Sequence, residues 1–161
     1  MSRNQQEPVE GEPLAEQIMK RDVVTVSPDA TVKELAQLFH ERGVGGAPVV
    51  DDEGRVIGMV TEGDLVSQDA DLHFPLYIQF LDSLIYLESV RKFEERLRKV
   101  VGAYVRDVMT TEVRSVPPTA TVRQVATLMS RHRINRVPVV DEGGRLVGIV
   151  GRHEVLESIG L

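Results

Sequence analysis

The 161-residue sequence predicts an α+β protein made of two copies of one β-α-β-β-α unit. When the chain is shifted by 90 residues it matches itself without a gap. Residues 26–65 and 116–155 share 15 identities in 40 pairs, which is far above chance and establishes an internal repeat. Each copy also combines short β-branched runs with helical patterns. One copy of about 50 residues is small for a stable core, so we expect the two to pack together.

The first half of each copy predicts a strand followed by a capped helix. Residues 23–26 form a short β-branched run, expected to add to the edge of a sheet. Thr31 and Glu34 then have capping-box spacing, in which each side chain bonds the other residue's backbone N–H. Thr121 and Gln124 keep the same device in the second copy. Both patterns predict a helix that begins directly after the threonine.

The second half of each copy predicts a helix end, a hairpin and a second helix. Gly43 favours the left-handed conformation that ends a helix, whereas Arg133 at the matching position predicts a different ending for the second helix. Residues 47–50 and 55–60 form strands joined by a four-residue turn, so we expect them to pair antiparallel. Thr61 then opens another helix.

The segment between the copies has a different composition. Residues 76–85 are predicted to form a helix, and residues 87–100 an amphipathic helix with three acid-before-base pairs at i, i+4. This segment either packs onto the domain as a linker or offers a surface to a partner or a second copy. Residues 67–105 hold six of the seven aromatic residues, namely Phe74, Tyr77, Phe80, Tyr86, Phe93 and Tyr104.

Composition and charge exclude several classes of function. The net charge of −6 argues against non-specific nucleic-acid binding, which needs clustered cations. The absence of cysteine excludes disulfides, thiolate metal sites and a cysteine nucleophile. The four histidines lack metal-ligand spacing, and the sequence has no G-x-S-x-G motif, so we predict neither a metal site nor catalysis.

Two stretches bear on the cellular location. Residues 1–12 lack the apolar core of a signal peptide. The most apolar stretch, residues 72–87, is interrupted by Gln79, Asp82 and Ser83, which argues against a transmembrane helix. We therefore expect a cytoplasmic protein.

One motif in each copy resembles a known family. In the first copy, Pro48-Val49-Val50-Asp51 is followed after the turn by Gly58-Met59-Val60-Thr61-Glu62-Gly63-Asp64-Leu65. This pattern resembles the CBS domain, named after cystathionine beta-synthase, and the whole chain resembles a stand-alone CBS pair. The resemblance implies that the repeats pack sheet to sheet around a pseudo-twofold axis and leave two clefts.

The resemblance also implies a domain division and a class of function. Residues 1–13 would be a flexible arm, 14–66 the first CBS repeat, 67–102 a helical insertion, and 103–158 the second repeat. Such pairs are generally not enzymes and require no cofactor. They bind AMP, ADP, ATP or S-adenosylmethionine, signal occupancy to a partner protein, and often form homodimers.

The first cleft carries the family's ligand-binding pattern. A threonine hydroxyl and free N–H groups at a helix start form an anion site, and an ionised aspartate can accept hydrogen bonds from both ribose hydroxyls. The resemblance assigns phosphate to Thr61 and Arg136, ribose to Asp64, and the adenine to residues 113, 114 and 134. The same Thr61–Asp64 spacing also fits a simple capping box. The predicted residues are Thr61, Glu62, Gly63, Asp64, Val113, Arg114, Ile134, Asn135, Arg136, Val137 and Pro138.

The second cleft departs from that pattern. Gly151, Glu154 and Gly46 stand where the first cleft has the hydroxyl, the short carboxylate and the guanidinium. We expect this cleft to be weak, empty or adapted to another ligand, although Arg152 and His153 add positive charge that would help a phosphate. Its predicted residues are Val24, Val44, Gly45, Gly46, Ala47, Arg152, His153 and Glu154.

Two further interpretations stay open at this point. S-adenosylmethionine is an alternative ligand, although Arg136 and a helix N-terminus favour phosphate over its cationic sulfonium. A different class of function is a ligand-free dimerisation or scaffold module that docks a partner through the aromatic insertion.

Overall fold

The computed structural model describes residues 11–67, 77–80, 83–86 and 103–161. Within these ranges, residues 66, 67, 77–80 and 83–86 are described by their backbone alone. Among the described helices, none is long and apolar enough to cross a membrane. In chain order the elements are α1 (Ala15–Ile18), α2 (Val32–Arg42), β1 (Gly46–Val50), β2 (Val56–Thr61), α3 (Glu62–Ser67), β3 (Tyr77–Phe80), β4 (Ser83–Tyr86), α4 (Val105–Val108), α5 (Val122–His132), β5 (Arg136–Val140), β6 (Leu146–Gly151) and α6 (Arg152–Ser158).

The chain divides into two compact units that do not follow the order of the repeats. Each unit joins most of one copy to the short segment that precedes the other copy; we call residues 13–20 and 103–110 the two leaders. Unit I consists of Met1–Val23, Val50–Val56 and Glu112–Leu161, and unit II of Val24–Val49 and Ile57–Thr111.

In unit I the first leader is docked on the second copy. The Ala15 N–H, at the start of α1, donates to the Ala120 carbonyl at 2.7 Å. Past the end of α1, Lys20 and Ile149 exchange two backbone hydrogen bonds of 2.9 Å each. Ala15 is fully buried, so its small side chain lets the leader approach closely.

In unit II the second leader is docked on the first copy in the same way. The Val105 N–H donates to the Ala30 carbonyl at 2.8 Å, and Thr110 and Met59 exchange backbone hydrogen bonds of 2.8 and 2.9 Å. The 90-residue offset relates these contacts to those of unit I position by position. The two copies have therefore exchanged their leaders.

Two glycines provide the space that the exchanged leaders need. A Cβ added at Gly148 would lie 2.4 Å from Met19 Sδ and 3.0 Å from the Lys20 carbonyl oxygen. A Cβ added at Gly58 would lie 2.6 Å from Met109 Sδ. Each leader methionine thus packs against backbone that only glycine leaves open.

The turn of the first copy pairs with that of the second. The Val56 N–H donates to the Gly144 carbonyl at 3.0 Å, and the Leu146 N–H donates to the Gly54 carbonyl at 3.0 Å. These two bonds explain why Val50–Val56 belongs to unit I.

Each copy builds a small sheet, as the sequence predicts. Strands β5 and β6 pair antiparallel, and β1 and β2 are hydrogen-bonded neighbours. The strand predicted over residues 23–26 is reduced to one parallel bridge between Val26 and Val49, which still adds to the sheet edge. Pro48 supplies the reason: it accepts from the Val26 N–H at 3.1 Å but has no N–H to continue the ladder.

Both predicted capping boxes are present. The Thr31 N–H donates to Glu34 Oε2 at 2.8 Å, and the Glu34 N–H donates to Thr31 Oγ1 at 3.1 Å. Thr121 and Gln124 make the matching bonds at the start of α5, of 2.9 and 3.2 Å. The capping threonines therefore set where α2 and α5 begin.

The two helices also end alike, contrary to the sequence prediction. Gly43 after α2 has φ of 62° and Arg133 after α5 has φ of 53°. Among the described residues, Arg133 is the only non-glycine residue with a positive φ. The packing of the repeat imposes this conformation whatever residue stands there, at a cost of about 1 kcal/mol for a side chain with a Cβ.

Replacing Arg133 by glycine should therefore stabilise the protein. We expect Arg133→Gly to raise the free energy of unfolding by about 0.5–1 kcal/mol, because the left-handed strain outweighs the added freedom of the unfolded chain. Urea unfolding at constant m-value measures the change. Gly43→Ala is the matched control, with open space around its Cβ, and should destabilise by a similar amount. No gain in Arg133→Gly would show that the arginine makes compensating contacts.

The insertion contains a hairpin where a helix was predicted. Strands β3 and β4 pair antiparallel, from Tyr77 opposite Tyr86 to Phe80 opposite Ser83, so the prediction of a helix over residues 76–85 is wrong. The segment is rich in aromatic and β-branched residues, which favour strands over helix. The amphipathic helix predicted over residues 87–100 lies outside the described residues.

Each unit has its own apolar core, which combines a copy with the exchanged leader. In unit I the core residues are Ala15, Val116, Ala120, Val122, Val125, Met129, Val137, Val139, Val150 and Val155. In unit II they are Val26, Val32, Leu35, Phe39, Ala47, Val49, Val60, Val105 and Val108.

Candidate functional site

In unit II the end of β2 and the start of α3 bring Thr61 and Asp64 together. The Thr61 N–H donates to Asp64 Oδ2 at 2.8 Å, the Thr61 hydroxyl lies 3.2 Å from the same oxygen, and the Asp64 N–H reaches Thr61 Oγ1 at 3.4 Å. Both side chains are half-buried. The pair is a capping box that presents a hydroxyl and a carboxylate at the helix start.

The helix start is less open than the sequence suggests. Of the three N–H groups predicted to be free, that of Glu62 donates to the Gly45 carbonyl at 3.0 Å and that of Asp64 to Thr61. The loop before β1 therefore lies against the start of α3. Within unit II this brings together residues that the sequence assigned to different clefts.

In unit I the matching helix start is organised around Glu154. This carboxylate is buried, with 8% of the residue exposed, and its Oε2 accepts the Gly151 N–H at 2.7 Å. Its buried Oε1 has no well-aligned hydrogen bond but lies 3.0 Å from Lys20 Nζ. Burial alone would raise the pKa of Glu154, but the neighbouring Lys20 ammonium and the Gly151 N–H outweigh it and hold the pKa below its ordinary value.

The two basic residues predicted to help a phosphate in the second cleft lie in the first turn of α6. Arg152 and His153 are both exposed, and His153 Nε2 lies 3.0 Å from Glu157 Oε1, one turn further along α6. The Arg152 N–H donates to the Asn135 carbonyl at 3.1 Å. The His153 side chain is thus engaged along its own helix.

The other predicted residues of unit I lie around β5 and the loop before it. Arg136 opens β5 opposite Gly151 and is half-buried. Val137 and Pro138 are buried, Val113 and Ile134 half-buried, and Arg114 exposed. A cavity of about 440 Å³ lies beside this loop, lined by Ala126, Met129, Ser130, Arg133, Ile134, Asn135, Arg152, Val155 and Leu156.

In unit II the residues predicted for the second cleft lie on both sides of the start of β1. Val24 and Val44 are half-buried, as is Gly45, whereas Gly46 and Ala47 are buried. Residues 61–64 and 134–136 belong to different units. Their combination in one cleft stays a prediction.

Lys20 is not among the residues predicted from the sequence. Its charge reaches Glu154 only because the leaders are exchanged. The sequence does contain an indication of this exchange, because the 90-residue offset extends to residues before the first strand, where it aligns Met19 with Met109. Among the described residues no cluster of three or more His, Cys, Asp or Glu side chains fits a metal ion.

Comparison with known proteins identifies the family. The CBS domain model matches the chain twice, at residues 15–71 and 105–161. The chain therefore belongs to the CBS domain family, as a tandem pair of CBS repeats.

Individual relatives are similar over most of the chain. An uncharacterized protein of Methanocaldococcus jannaschii is 33% identical over 153 residues, which covers 91% of this chain and 90% of that protein. The inosine-5'-monophosphate dehydrogenase of the same organism is 29% identical over 143 residues, but the match spans only 23% of that enzyme. The crystal structure of CBSX2 in complex with AMP superposes with a TM-score of 0.69, at 25% identity, covering 91% of this chain and 95% of that one.

Proposed function

We propose that this CBS pair is a regulatory module that binds an adenine nucleotide, AMP, ADP or ATP, and signals its occupancy to a partner protein. It acts by binding and not by catalysis. The main observation in support of this proposal is the Thr61–Asp64 pair at the start of α3, whose hydroxyl and carboxylate lie 3.2 Å apart. In this proposal the hydroxyl receives a phosphate, and the carboxylate accepts hydrogen bonds from the ribose.

Unit I would supply the remaining ligand contacts. Arg136 is half-buried at the start of β5, and its guanidinium can form a bidentate pair of hydrogen bonds with a phosphate. Val113, Arg114 and Ile134 would line the adenine. The AMP complex of CBSX2, a structure of the same family, supports an adenosine ligand. S-adenosylmethionine is the alternative, less favoured beside an arginine.

The proposal includes a partner and a second copy of the chain. A signal would pass through another protein or through the insertion. We propose a homodimer of CBS pairs in the cytoplasm.

Nucleotide binding tests the proposal directly. We expect AMP, ADP or ATP at 100 times its dissociation constant to stabilise the protein by about 2.7 kcal/mol, and hence to raise Tm by several degrees. Asp64→Ala should abolish this shift, because the ribose loses its acceptor. Arg136→Ala should weaken the nucleotide more than it weakens adenosine.

Asp52→Ala is the matched control. It removes an exposed aspartate in the turn of the first copy and should leave the Tm shift intact. A rise in Tm with S-adenosylmethionine and with none of the nucleotides would show that the ligand is S-adenosylmethionine and not an adenine nucleotide. No shift with any of the four compounds would reject nucleotide sensing.

A ligand-free scaffold is the second candidate. One observation favours it: Thr61 and Asp64 already satisfy each other, as in a helix cap that needs no ligand. A partner complex whose affinity does not change with nucleotide would support this candidate.

A further inference from the structure

The starts of α3 and α6 differ in a coordinated way. Where unit II has a hydroxyl, a short carboxylate and an uncharged leader residue, unit I has a hydrogen, a longer carboxylate and a lysine. The corresponding pairs, each 90 residues apart, are Thr61 with Gly151, Asp64 with Glu154, and Thr110 with Lys20.

The Glu154 carboxylate fills the space that a side chain at position 151 would need. A Cβ added at Gly151 would lie 2.7 Å from Glu154 Oε2, nearer than real Cβ contacts come. Glu154 is buried, whereas Asp64 at the corresponding place is half-buried. A side chain at position 151 would therefore require the Glu154 carboxylate to move.

Lys20 completes the arrangement from the exchanged leader. Its backbone is fixed by the two hydrogen bonds to Ile149, and its ammonium lies 3.0 Å from Glu154 Oε1. Thr110 is fixed to Met59 in the same way but brings no charge. The start of α6 thus holds an anion and its counterion, both supplied by the protein itself.

We propose that the Lys20–Glu154 pair closes the half-site at residues 151–154, so that the chain binds one adenine nucleotide and not two. This inference rests on the proposed function. A phosphate or ribose entering at α6 would have to displace the buried Glu154 carboxylate, which already has the Lys20 ammonium as counterion and accepts the Gly151 N–H.

Binding stoichiometry tests the inference, with AMP as the probe. Isothermal titration should give one AMP per chain for the natural protein. The variant K20T/G151T/E154D, which gives unit I the residues of unit II, should bind two. Adding Asp64→Ala to that variant should remove one of the two, which shows that the new site is separate from the first.

The outcomes separate this inference from the proposed function. One AMP per chain in both the natural protein and the variant overturns the inference and leaves the proposed function standing. Two AMP per chain in the natural protein also overturns the inference. If the natural protein binds no AMP, the titration is repeated with ADP and ATP. Binding of none of the three nucleotides rejects the proposed function, and the inference is then overturned as well unless the variant gains a site.

A second measurement needs no variant. In a titration of the natural protein with AMP followed by amide NMR, the Gly63 resonance should move and the Gly151 resonance should stay in place. Equal movement of both would show that the half-site at residues 151–154 is open.

Discussion

A charge placed in one leader should unfold the opposite copy. Val105→Asp puts a carboxylate at a fully buried site in the core of unit II, and Ala15→Asp does the same in unit I. A buried charge without a partner costs about 3–5 kcal/mol. Val105→Asp should therefore remove hydrogen-exchange protection from β1 and β2, and Ala15→Asp from β5 and β6.

Peptide-level hydrogen exchange reads the two copies separately. Ala36→Asp makes the same chemical change on the exposed face of α2 and should cost only about 0.7 kcal/mol, from helix propensity. If Ala15→Asp instead released β1 and β2, its own copy in sequence, the exchange of leaders would be wrong.

Features set by residues close in sequence were predictable. The capping boxes depend on a threonine and a residue three positions later, and the turn after β1 on an aspartate and a glycine within four positions. Asp51 Oδ1 accepts the Arg55 N–H at 2.9 Å, as such a turn requires. The repeat let each of these be inferred twice.

Features set by distant residues were not predictable from these patterns. The left-handed conformation of Arg133 is imposed by the packing around the end of α5, against the preference of the residue itself. The reduction of the first strand to one bridge depends on Pro48, more than 20 residues away. Local propensity cannot report either constraint.

The candidate site shows the same division. The pairing of Thr61 with Asp64 followed from their spacing, but the contact of Glu154 with Lys20, more than 130 residues earlier in the chain, did not. Loss of the threonine and the short carboxylate predicted a weak cleft. Only the structure shows that a buried carboxylate paired with an exposed lysine occupies the place.

Removing the Lys20 charge should weaken the loss of stability that Glu154 causes when the pH falls. In the natural protein the pKa of Glu154 lies below its ordinary value, so its stabilisation is complete above the pKa of the unfolded state. That stabilisation is lost as the pH falls through the folded-state pKa. In Lys20→Met the lowering effect of the ammonium is lost and the pKa of Glu154 should rise, so this variant should lose less stability on acidification than the natural protein does.

Near neutral pH we expect Lys20→Met to lower the free energy of unfolding by about 1–2 kcal/mol, because a buried carboxylate oxygen loses its counterion. The lower part of that range is favoured, since the Lys20 side chain is 64% exposed and water screens the pair. Urea unfolding between about pH 4 and pH 7 should show the deficit shrinking as Glu154 becomes protonated. Lys33→Met, at an exposed lysine on α2, is the matched control and should show no such trend. In the double variant Lys20→Met/Glu154→Gln, the free energy of unfolding should not depend on pH through this site. If the deficit in the free energy of unfolding of Lys20→Met stays constant with pH, the lysine stabilises unit I by packing and not through its charge.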